Sequence, residues 1–328
     1  MLYLYHMRFI LFLSLALVAL LSCKSQQQAS DSSASSENTT ATVTVDFSGD
    51  NAYNLVKTQC DFGPRVPGTP AHSKCAQWLE QSLSETCDTV IVQEAQVTTF
   101  DGKTLNIKNF IGSFNPASDN RILLLAHWDC RPWADNDPDP AKRKEPVMGA
   151  NDAASGVAVL LELAHIMKDN RPNIGVDILL VDAEDWGENE NEDSWALGTQ
   201  YWAKNPHVAG YTARFGILLD MVGAKGARFG KEIMSMQYAP SIVNEVWNIA
   251  RESGYSNYFD SNLGGAITDD HIVVNKMGIQ CIDIIDTRQD SDTGFFAGWH
   301  TIDDTLHWID KGVLKAVGQT VANVVYSY

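Results

Sequence analysis

A chain of 328 residues that is 45% hydrophobic and 20% charged can bury one large core or two small ones, and is not disordered over most of its length. Its formal net charge of −17 excludes a general affinity for nucleic-acid phosphates or anionic lipid headgroups and favours cationic partners, metal ions included. No internal repeat is visible, which sets solenoids and propellers aside.

In chain order, the first element is "MRFILFLSLALVALLSC". Arg8 precedes a 13-residue apolar run from Phe9 to Leu21, too short to span a bilayer as a mature helix and suited to a signal peptide. "LLSC" resembles a bacterial lipoprotein box, so residues 1–22 are expected to be removed and Cys23 lipidated; a plain secretory signal and a start at Met7 are the alternatives. The protein is then exported and held by its lipid, most simply on the periplasmic face of a Gram-negative membrane. Residues 23–45, dominated by Ser, Gln, Ala, Thr and Asn, read as a flexible tether, and one domain is expected over residues 46–328. Beyond Cys23 remain Cys60, Cys75, Cys87, Cys130 and Cys281. Their odd number and wide spacing give no disulfide framework, zinc knuckle or redox centre, and they are expected as structural thiols, with one bridged pair left open.

A helix is expected from about Ser48 to Gln59, then the loop "CDFGPRVPGTP", then a second helix from about Ala71 to Cys87. Strands at Thr89 to Thr98 and Leu105 to Phe114 flank the Asp-Gly turn signal of "FDGK" and predict a hairpin. Four later apolar runs, "RILLLAHWD", "VDILLVDAED", "FGILLDMVG" and "GIQCIDIID", break into polar residues at their ends. Helical stretches lie near Ala153 to Lys168, Trp195 to Lys204, Pro240 to Ser253 and Asp310 to Tyr326. Near-continuous apolar strands are covered on both faces. The pattern predicts a single α/β domain with a central, mixed but mainly parallel twisted sheet and helices on both faces.

In open α/β sheets ligands sit outside the carboxyl ends of the strands. Three of the four runs end in candidate ligands: His127 and Asp129 in "AHWD", Glu184 and Asp185 in "DAED", and Asp220 in "LLDMVG". Asp152 in "GANDAASG" and His300 in "GWHTIDD" come from loops. Taken singly each reads as a structural residue, Asp152 as a helix N-cap and the acids of "DAED" as a cap and first-turn charges. Together they crowd carboxylates that repel unless a cation or a shared proton relieves them. Carboxylate and imidazole without thiolate is the ligand set of a catalytic zinc. Gly149 and Gly156 around Asp152 suit a tight approach to a helix start. The loop at residues 129–146 reads as either a rim or a solvated surface segment, and Arg131 and Trp133 are assigned no catalytic role.

"AHWD", "GANDAASG", "DAED", "LLDMVG", "ITDDH" and "GWHTIDD", in this order, resemble the zinc aminopeptidase-like exopeptidase superfamily. Within it they are similar to the glutaminyl cyclases (glutaminyl-peptide cyclotransferases) of the animal and Gram-negative bacterial type, over about residues 46–328. The resemblance implies one Zn2+ per chain, held by Asp152, Asp185 and His300, with Asp185 departing from the commoner Glu. It implies Glu184 as proton shuttle, Asp182 as a structural acceptor, and Asp220 and Asp269 as a pair sharing a proton. Trp299, with Ile267 and Phe295, would wall the pocket, although on residue type alone Trp299 reads as packing and the pair Asp269 and Asp270 as a loop or cap. His127 falls where two-zinc relatives hold a second metal. The implied activity is cyclisation of the N-terminal glutamine of peptides and exported proteins to pyroglutamate with release of ammonia. A two-zinc aminopeptidase and a tethered binding protein that has lost catalysis are the other readings. No nucleic-acid partner is expected, membrane contact is confined to the lipid anchor, and a monomer is expected.

Overall fold

The four apolar runs become buried parallel strands in the computed structural model, which describes residues 44–328. The signal peptide, Cys23 and nearly all of the tether lie outside the described residues. The runs are β3 (Arg121–His127), β4 (Gly175–Val181), β5 (Gly216–Asp220) and β8 (Cys281–Ile285). They follow the hairpin of β1 (Thr89–Thr98) and β2 (Thr104–Phe114), whose register pairs Thr98 with Thr104 across the Asp-Gly turn. The sheet order is β1-β2-β4-β3-β5-β8, antiparallel at β1/β2 and β2/β4 and parallel from β4 to β8. The expected mixed, mainly parallel sheet is therefore the one observed.

Alternation along each strand divides the core. Ile122, Leu124 and Ala126 of β3 face one side with Val176, Ile178 and Leu180 of β4; Leu123, Leu125, Leu179 and Val181 face the other. The larger layer is closed by α1 (Gly49–Asp61), α2 (Pro70–Thr86), α3 (Ala154–Asp169), α6 (Pro240–Glu252) and α8 (Lys311–Tyr326). The smaller is closed by α4 (Leu197–Lys204) and α7 (Asp270–Lys276) through Trp202 and Val274. Burying a side chain such as Leu124 or Leu179 contributes about 2 kcal/mol, so these two faces carry most of the stability.

The helix starts follow their side-chain caps: Ser48 accepts from the Asn51 N–H, Thr69 from that of His72, and Asp310 from those of Gly312 and Val313. Residues 229–276 hold more than the sequence pattern foretold: a small parallel pair, β6 (Phe229–Lys231) with β7 (Phe259–Leu263), the short α5 (Ile233–Tyr238), and α7. All five described cysteines are free, so no pair is bridged among them.

Because β4, β3, β5 and β8 run in one direction, their carboxyl ends lie along one edge of the sheet. The chain leaves that edge sharply: Ala183 and Met221, just past β4 and β5, both have positive φ, as does His300.

Candidate active site

The site is assembled at that edge. β3 ends in His127, β5 in Asp220, and the turn after β4 carries Glu184 and Asp185. Asp152 arrives on the segment entering α3, and its peptide bond to Ala153 is cis. Gly149 and Gly156 allow the approach as expected. Gly149 has φ +66°, and a Cβ on Gly156 would clash with the Leu219 carbonyl oxygen of β5. Asp152 is not an N-cap, since Ala153 holds that place and α3 has no side-chain cap.

Asp152, Asp185, Glu184, Asp220, Asp269, His300, Trp299, Ile267 and Phe295 all line one cavity of about 270 Å³. Every cavity residue foreseen from the sequence is thus brought together. His127 lies beneath, buried, with Nε2 3.0 Å from Asp152 Oδ1 and 3.2 Å from Asp220 Oδ1. His300 Nε2 stands 3.2 Å from Asp185 Oδ1 and 3.8 Å from Asp152 Oδ2. Its ring is stacked on Trp299, centroids 3.8 Å apart, and Trp195 lies roughly parallel to it at 6.3 Å.

Two overlapping groups could hold a metal ion, Asp152 with Asp185 and His300, and His127 with Asp152 and Asp220. In the first, both Asp185 oxygens are buried without a hydrogen-bond partner, and Arg131 Nη1 is 3.6 Å away. Two carboxylates and an imidazole with orphaned oxygens turned toward one point fit a zinc that keeps an open position. The surroundings fix these ligands. Asp304 accepts from the Asn151 and Asp152 N–H groups at 2.9 and 3.1 Å, and Asp135 Oδ1 lies 3.3 Å from His300 Nδ1. A third group, Asp269, His271 and Asp283, is also buried, with His271 Nε2 3.3 Å from Glu232 Oε2.

Asp129, a candidate ligand by its place at a strand end, has a structural part instead. Its oxygens accept from the Glu184 and Asp185 N–H groups at 3.0 and 3.2 Å, tying down the turn that carries them. Asp182 is the expected structural acceptor, bound by His72 and by the Lys108 and Ala183 N–H groups. The loop after β3 lines no part of the cavity: Arg131 and Ala134 are buried, Arg131 and Asp135 reach Asp185 and His300 from behind, and residues 138–141 are exposed. Sequence reasoning missed Asp304, Asp135 and Trp195, whose chain context shows only acids in loops and a tryptophan before a helix.

Burial pushes Glu184 well above the usual carboxylate range, with Asp269 and Asp185 adding to it against His127. Burial, Asp220 and Asp270 likewise raise Asp269. Burial and Asp152 carry Asp185 up to about 6. His300 goes to about 9: burial opposes its charge, but Asp185 and Asp135 outweigh it. Raised carboxyls gathered in one cavity can hold, share and release protons, the requirement for general acid–base chemistry.

Residues 109–325 match Peptidase family M28. A Zn-dependent exopeptidase of Parabacteroides distasonis is 50% identical, with a TM-score of 0.86 over 87% of this chain and 100% of that one. A glutaminyl cyclase of Bacteroides thetaiotaomicron, solved with N-acetylhistamine, is 47% identical, with a TM-score of 0.85 over 87% of this chain and 100% of that one. The glutaminyl-peptide cyclotransferase of Bos taurus is 23% identical over 301 residues, 80% of this chain and 78% of the bovine one. With the fold, the ligand group and these likenesses in hand, the chain belongs to Peptidase family M28 and, within it, to the glutaminyl cyclases.

Proposed function

We propose that this enzyme cyclises the N-terminal glutamine of peptides and exported proteins to pyroglutamate, releasing ammonia, with one zinc per chain. The observation that carries the reading is the cavity itself: about 270 Å³, floored by Asp152, Asp185 and His300, holding Glu184 and Asp269, and walled by Trp299, Ile267 and Phe295. Held by Asp152, Asp185 and His300, zinc would supply Lewis acidity toward the γ-carbonyl oxygen and the negative charge that develops there. Glu184 takes a proton from the α-amine, which attacks the side-chain amide carbon of the same residue. The same carboxyl returns that proton to the departing nitrogen, a double duty suited to its raised pKa. Asp220 and Asp269 share a proton and orient the amide and the amine. The aromatic wall keeps water out, which favours the intramolecular nucleophile over hydrolysis.

A two-zinc aminopeptidase is the second reading, favoured by the group of His127, Asp152 and Asp220. One experiment separates them: mass spectrometry of a Gln-initial and a Leu-initial peptide after incubation with residues 46–328, with and without chelator. Chelator-sensitive loss of one ammonia from the first alone is the expected result; free leucine from the second, with about two tightly held zincs per chain, would replace the cyclase by the peptidase. We further propose that the full chain is lipid-anchored through Cys23 on the periplasmic face of the membrane. Cys23→Ser should then move the protein from the membrane fraction to the soluble fraction of producing cells.

A further inference from the structure

A second cavity, of about 300 Å³, opens beside the first and shares Glu192, Trp195, Thr268 and Asp269 with it as a common rim. It is a groove between α4 and α7. Ala196, Gln200, Ala203 and Lys204 line it from the α4 side, and Ile272, Val273, Lys276 and Met277 from α7. These are three- and four-residue spacings, so each helix turns one face to the groove.

Both helices start at the catalytic end. The Ala196 N–H bonds the Glu184 carbonyl at 3.1 Å, and Asp269 caps α7. Both run out to exposed lysines, Lys204 and Lys276, at their carboxyl ends. Each lysine alone complements its helix dipole. Their convergence on one groove, whose rim toward the catalytic cavity carries Glu192, gives that groove a polarity: acid by the catalytic cavity, the apolar Ile272 and Val273 one turn before Lys276, and at the far end the lysines with Ala203 and Met277 beside them.

We propose that this groove binds the second to fourth residues of the substrate peptide and favours an apolar residue followed by acidic ones. The proposal rests on the cyclase reading. Helices of this length run ~10–12 Å at ~1.5 Å per residue, and an extended peptide advances ~3.3 Å per residue, so the groove takes about three residues. A peptide whose α-ammonium sits among the carboxylates of the first cavity passes the shared rim at its second residue and meets the lysines at its third or fourth.

The test compares the wild-type enzyme with the K204E/K276E double variant, both positions being exposed and outside the catalytic set. Substrates are glutamine amide, Gln-Leu-Glu-Glu and Gln-Leu-Lys-Lys peptides, and longer peptides with the same charges at positions seven and eight. The charge reversal is expected to shift the ratio of kcat/KM between acidic and basic peptides by roughly tenfold, through KM, for charges at positions three and four only. Glutamine amide should be turned over equally by both enzymes. An unchanged ratio, or an equal shift for the distant charges, would overturn the groove in favour of a general surface field. Calorimetric binding of the pyroglutamyl product peptides reads the groove without turnover. If no enzyme acts on glutamine amide, the cyclase reading fails, while charge-dependent peptide binding still decides the groove.

Discussion

Glu184 and Asp185 are neighbours in the chain with different surroundings. Glu184 faces Asp269 and lies 4.0 Å from His127 Nδ1, whereas Asp185 faces His300 and Arg131. Glu184→Gln should therefore leave zinc bound while turnover falls by about 10³, read by metal analysis beside ammonia release. Unchanged turnover would remove Glu184 as the shuttle. Asp304 touches no substrate, yet its carboxylate aligns the backbone of Asp152. Asp304→Asn should weaken zinc affinity by about 10- to 100-fold, measured by competition with a chelator, with the fold retained. At this scale the foreseen polar residues of the cavity were legible because each breaks an apolar run or stands in a loop beside glycine. Asp304 and Asp135 were not, because a loop carboxylate that binds backbone N–H groups looks in sequence like any solvated acid.

Elements set the precision of the site. Gly156 lets α3 approach β5, so Gly156→Ala should push Asp152 out of place, lowering kcat/KM about 10²-fold and stability by about 2 kcal/mol. Equal activity in that variant would mean that the helix start can yield. Glu232 has a comparable part beside the cavity: it caps α5 through the Met234 and Ser235 N–H groups and accepts from Ile267, whose side chain lines the pocket. Burial pushes its carboxyl up, but His271 and those N–H groups outweigh burial and hold it at about 2. A depressed carboxyl stabilises the fold above its ordinary pKa and loses that contribution as pH falls toward the folded value. Glu232→Gln should accordingly cost about 2 kcal/mol in denaturant unfolding above pH ~4.5, the gap closing between pH ~4.5 and ~2. A pH-independent gap would assign the cost to packing instead. The part of Glu232 was not visible in sequence, since α5 and β7 ("FDSNL") are too short to show a period; the Gly156 approach and a cap at Asp269 were. The longer helices were visible in sequence, α3 and α6 among them although neither has a side-chain cap.

For the whole molecule, zinc that binds the folded state alone adds to stability by mass action, so a chelator should lower Tm and saturating zinc restore it. A Tm insensitive to both would argue against a preformed zinc site at Asp152, Asp185 and His300. The architecture was legible because strands covered on both faces must be apolar throughout, leaving their polar ends conspicuous; the sheet order was not, since nothing in an apolar run names its neighbour. That order also has a consequence for timing. Among the described residues β8 pairs only with β5, at the sheet edge, and His300 follows it, so the last of the three proposed zinc ligands is reached only after all six strands of the sheet. The segment that carries His300 must be made before Asp152, Asp185 and His300 can meet. A fragment cut before residue 281 retains most of the sheet and the group of His127, Asp152 and Asp220, yet lacks His300, so the group proposed to hold the zinc of the cyclase depends on the segment that follows β8.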